Sequence, residues 1–130
     1  MDLHEIPISR WRPFLDQFSR LHHGQEVQVE TTAPGGGPTS QVDHLPLLGV
    51  TQEQQVGEQR ISISAGDPRG NLFGHAVVNP TRLCAAEWND GTSGELRIDL
   101  ADGGAVRVRV GPAEEMLPPG FITDGLYERD

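Results

Sequence analysis

Cys84 and His75 are the two side chains of this sequence that could act together as a nucleophile and its base. A thiol does such work when a cationic or helix-terminal neighbour lowers its pKa. The pair would require a turn at Asn79-Pro80 that sets their two strands side by side. Strand alternation puts Cys84 in opposite phase to Leu83 and leaves its face open. Buried free cysteine is the common alternative. His22 and His23 suggest a metal, but adjacent helical residues diverge by about 100°, so one regular helix cannot aim both at one ion. His4, His44 and His75 are scattered, and no HExxH or HxxxH spacing occurs. Asp67, Arg69 and Asn71 imitate alternate ligands of a calcium loop, yet Arg69 is a cation where an oxygen donor is needed. A plain turn is expected there.

Two other sets of residues are candidate binding groups. Arg97, Arg107 and Arg109 fall on one face of a hairpin and could hold a phosphate or carboxylate through bidentate hydrogen bonds. The competing expectation pairs them across strands with acids such as Asp99 and Glu95. No stacking aromatic accompanies them, which oligonucleotide binding would need. The apolar residues Met116, Leu117, Phe121 and Ile122 lie in a Pro- and Gly-rich C-terminal segment. They are expected either to wrap the domain or to dock on a protein partner, and Glu114 and Glu115 favour a basic partner surface.

The elements that must position these groups follow from periodicity. Trp11, Phe14, Leu15, Phe18 and Leu21 predict one apolar face of a helix over about 9–22, with Ser9 as N-cap and Gly24 as terminator. Val27, Val29 and Thr31 alternate as a half-buried strand. The run 33–38 is a loop, and 42–50 is a strand with Pro46 at an edge or bulge. The polar run Thr51 to Glu58 is expected to break that strand. Ile61, Ile63 and Ala65 form the next, then a turn at 66–71, then strands at 72–78 and 81–88. Leu96, Ile98 and Leu100 pair by pattern with Val106, Val108 and Val110 across Asp102-Gly103-Gly104. The fold expected is mostly β: an N-terminal helix on a five- to seven-stranded antiparallel barrel or curved sheet, with an Sm-like order. Residues 1–110 would form this one domain and 111–130 an extended C-terminal segment.

Composition narrows the functions. All ten basic residues are arginine, so a Walker A loop and a pyridoxal Schiff base are excluded. One cysteine excludes an internal disulfide and a CxxC site. No cofactor is expected. The net charge of −9 opposes nucleic acid and anionic membranes. No apolar run approaches the length of a membrane span, and Met1 to Glu5 do not start a signal peptide, so a cytoplasmic protein is expected.

Ile6-Pro7, Trp11, Phe14-Leu15-Asp16, Phe18-Ser19-Arg20, His22 and Gly24 resemble the opening of a bacterial family of short uncharacterised proteins, domain of unknown function 5335. Leu45-Pro46-Leu47 with Gly49, Arg60-Ile61-Ser62-Ile63, Gly74-His75 and Pro80-Thr81 are similar to its later blocks. The resemblance spans nearly the whole chain; it implies one small cytoplasmic domain and transfers no site. The reading is therefore a non-enzymatic protein-interaction or accessory module, with a homo-oligomer allowed. The alternatives are a hydrolase or transferase using Cys84 and His75, and an Sm-like RNA-binding oligomer.

Overall fold

A computed structural model describes residues 3–55, 57–88 and 93–112. Among these, a 3-10 turn at Ile8–Arg10 leads into helix α1 (Trp11–His22). The strands are β1 (His4–Glu5), β2 (Glu26–Thr32), β3 (Pro38–Gln55), β4 (Glu58–Gly66), β5 (Leu72–Val78), β6 (Pro80–Trp88), β7 (Ser93–Leu100) and β8 (Ala105–Gly111). They form one antiparallel sheet in the order β1-β6-β7-β8-β2-β3-β4-β5. The sheet is open, so a curved sheet under a helix, rather than a closed barrel, is the fold.

The start of α1 differs from expectation. Ser9 does not cap it, because residues 8–10 are already turned, with Arg10 N–H donating to the Pro7 carbonyl at 2.8 Å. Arg10 stands at the N-cap without a side-chain bond. Pro13 sits in the first turn, where its missing N–H has no helical acceptor to serve. Trp11, Leu15, Phe18 and His22 form the buried face. At about 100° per residue Leu21 rotates off that face and His22 takes its place, so Leu21 is half exposed. Gly24 ends the helix region with φ +86°.

The sheet supplies the other half of the core. Val27, Val29, Ile61, Ile63, Val77, Leu83, Leu96, Ile98, Val106, Val108 and Val110 are all buried on the face toward α1. Each fully buried side chain of this size contributes about 1.5–3 kcal/mol of transfer free energy. This burial holds a helix too short to persist alone.

Strand β3 is longer than its composition suggests. It runs through Thr51 to Gln55, because the backbone there pairs with β4, and Gln52 Nε2 adds a side-chain bond of 3.1 Å to Gln59 Oε1. Two bulges bend it. Val27 faces Leu45 and Gln28 faces Asp43, which leaves His44 as an extra residue with φ +68°. Leu47 faces Ala65 and Gly49 faces Ser64, which leaves Leu48 extra and turned outward. The first half of β3 thus pairs with β2 and the second half with β4.

Candidate functional site

The arginine face is assembled by register. Arg97 lies opposite Arg107, and Arg109 lies opposite Glu95, on β7 and β8. On the far side of β8, Arg107 and Arg109 face Glu30 and Gln28 of β2. Gln28 then donates from Nε2 to Asp43 Oδ1 at 2.7 Å. The result is a polar belt across four strands, and Gln28 and Glu30 are buried within it. Arg97 Nε contacts Asp99 Oδ1 at 3.0 Å, and Arg107 Nε contacts Glu95 Oε2 at 3.3 Å. Burial pushes the Glu95 carboxyl above its ordinary value of 4.5, against the opposing pull of Arg107, Arg109 and Arg97.

Beside this belt a cleft of about 200 Å³ is lined by Thr32, Arg97, Gly103, Ala105 and Arg107. Arg107 pairs with Glu95 across the strands, as expected of the alternative to anion capture, whereas Arg97 pairs with Asp99 along its own strand. Met116, Leu117, Phe121 and Ile122 lie outside the described residues.

Cys84 and His75 are not brought together. Among the described residues, strand β5 pairs with β4 alone, whereas β6 pairs with β1 and β7. His75 shares the phase of Phe73 and buried Val77, and its ring stacks near Phe73 with centroids 6.4 Å apart. It lines a cleft of about 330 Å³ with Thr31, Gln41, Leu100 and Val106. Cys84 instead faces Arg97 and Glu5 across its ladders, in the phase opposite to core residues Leu83 and Ala85, and is itself buried. Opposite faces of a sheet cannot form a nucleophile–base dyad.

The other candidates are structural. His22 is fully buried, with Nδ1 2.7 Å from Gln25 Oε1 and its ring 4.5 Å from that of Phe18. Its Nε2 lies 3.4 Å from Glu87 Oε2, so it ties α1 to β6. His23 is exposed. Asp67 accepts hydrogen bonds from Asn71 Nδ2 and from the Asn71 and Arg69 N–H groups, which hold its carboxyl below the ordinary 3.8. Its oxygens close a turn. Among the described residues no group of three His, Cys, Asp or Glu is placed to hold a metal ion.

Sequence reasoning missed the apolar surface at the other end of the sheet. Leu72 is 77% exposed, Leu48 45% and Val78 38%. Pro46, Leu47, Leu48, Pro68 and Leu72 line a shallow depression of about 420 Å³. Both phases of β5 are apolar, so periodicity could not show which face would be left outside. The available signal was the lack of any acid, arginine or proline from Leu72 to Val78.

A family described as being of unknown function (DUF5335) matches residues 2–117. The chain belongs to that family. The resemblance read from the opening motif and the later blocks is thereby upheld over nearly the whole chain. No curated protein and no solved structure matches it. In this DUF5335 chain the opening motif has a structural meaning: Trp11, Leu15, Phe18 and His22 face the sheet, while Ser19 and Gly24 bond to β3. No helix among the described residues is long and apolar enough to cross a membrane.

Proposed function

We propose that this DUF5335 chain is a small non-enzymatic protein-interaction module that works in the cytoplasm. The observation that carries the reading is the edge of β5 that no described strand pairs, seven residues without Asp, Glu or Arg, with Leu72 exposed on it and Leu48 exposed beside it. Edge strands of this kind are ordinarily blunted by charge, proline or a bulge, because they present unpaired backbone groups to other chains. The β4–β5 register runs without a bulge from Arg60↔Val78 to Gly66↔Leu72. Strand addition gives main-chain affinity, and the flanking apolar side chains give selectivity. The acidic balance of −9 further favours protein over nucleic acid as the partner. The C-terminal residues Met116, Leu117, Phe121 and Ile122 are the second contact in this proposal.

The test is capture from source-cell lysate by the full chain, by Leu72→Lys, and by Phe121→Ser/Ile122→Ser, followed by binary binding with the purified protein. A defined protein held by the wild type and released by either variant supports the reading. Equal capture by all three chains, or reproducible turnover of a small substrate, overturns it.

A further inference from the structure

Strand β5 is complementary to itself. Its outward side chains are Leu72, Gly74, Ala76 and Val78, with the two large ones at the ends and the two small ones in the middle. An antiparallel partner strand of the same sequence, centred on His75, sets Leu72 against the partner's Val78 and Gly74 against the partner's Ala76. Phe73 meets the partner's Val77 on the opposite face. Other registers lose this match. A slip of one residue would turn the apolar set to the wrong face, and a slip of two leaves one large side chain unopposed.

We infer that two copies of this chain join edge to edge through β5, in antiparallel register about His75, extending the sheet across a two-fold axis. The inference rests on the interaction reading above and names the occupant of that edge. Several observations favour a second copy over a foreign strand. The match of Leu72 with Val78 needs no other sequence. A two-fold pairing closes after two chains, since it uses the same edge on both and buries it. β5 carries no acid and no arginine, although the chain as a whole is strongly acidic, so no carboxylates are opposed and the one titratable side chain, His75, lies on the axis. The paired segment spans about 23 Å at roughly 3.3 Å per residue. At the Leu72 end of each strand, the apolar depression with Leu48 and Pro68 adjoins the junction.

Analytical ultracentrifugation of the full chain over a concentration series tests this, with the register tested by charge exchange. The wild type is expected to sediment at twice 14.2 kDa. Leu72→Lys/Val78→Lys opposes two pairs of lysines, and its dissociation constant rises at least about tenfold. Leu72→Glu/Val78→Glu behaves likewise alone, and an equal mixture of the two variants regains the dimer. Ala76→Lys, a single change at an exposed position, weakens it also. A wild type at 14.2 kDa throughout, a dimer indifferent to the lysines, or a mixture that stays monomeric overturns the inference. A monomeric wild type whose lysate partner is still lost on Leu72→Lys overturns self-pairing alone and leaves the interaction reading standing.

Discussion

The hydroxyl of Ser19 takes the place of a β-strand for Val50. It donates to the Val50 carbonyl at 2.7 Å and accepts from the Val50 N–H at 2.8 Å. Strand β2 pairs with β3 only as far as Pro46, so the second half of β3 has one edge without a strand. Leu47 continues the cover by exchanging backbone bonds with Gly24 and Gln25, each 2.8 Å. Helix α1 and its exit therefore cover the edge of β3 where β2 stops.

Ser19→Ala removes both partners of Val50, which is fully buried. The loss expected is about 1–3 kcal/mol, because a buried donor and acceptor are left unmade. Urea unfolding checks it, and Ser19→Thr should recover part of the loss.

Gly94 leaves little room for a side chain. A Cβ there would stand 3.0 Å from Phe18 Cε2 and 3.1 Å from His22 Nε2, both fixed in the core. Gly94→Ala should cost about 1–3 kcal/mol by overpacking. The penalty should shrink when Phe18→Leu supplies room, and a double-mutant cycle by thermal or urea melting measures that coupling.

Glu95 gives stability a pH dependence of known sign. Its folded carboxyl titrates above the ordinary 4.5, so between those two values the folded chain holds more proton than the unfolded one. The stability it contributes is thus greatest below the ordinary value and declines as pH rises through the folded one. Glu95→Gln lacks that decline. The stability difference, variant minus wild type, should increase with pH across this window in urea melts taken at several pH values.

Cys84 is buried, with Glu5 and Arg97 as its register neighbours on the two flanking strands. Alkylation of the folded protein should be slow and should accelerate on unfolding, since only exposed thiolate reacts. A fast reaction at neutral pH, abolished by His75→Ala, would contradict the separation of these two residues.

Much of the fold was legible in local pattern. The helix face, the β7–β8 hairpin and the turns at 66–71 and 102–104 followed from spacing and from turn-forming residues. The arginine–acid pairing was legible too, because Glu95, Arg97, Arg107 and Arg109 share one phase of adjacent strands. The extension of β3 was not. Thr51 to Gln55 read as a break on polarity, yet backbone pairing with β4 makes them a strand. The outward turn of Leu48 was also hidden, since a bulge depends on how two strands register and leaves no fixed mark in one of them.

By itself the sequence determined what repeats along the chain: which side chains alternate, where glycine and proline interrupt, and which chemistries lack their residues. Tertiary structure decided what meets across it. It placed Cys84 and His75 on opposite faces, put His22 rather than Leu21 in the core, and left β5 at an open edge. Periodicity is a property of neighbours within about one turn or one pleat. Pairing, bulges and edges arise only when distant segments compete for the same backbone hydrogen bonds.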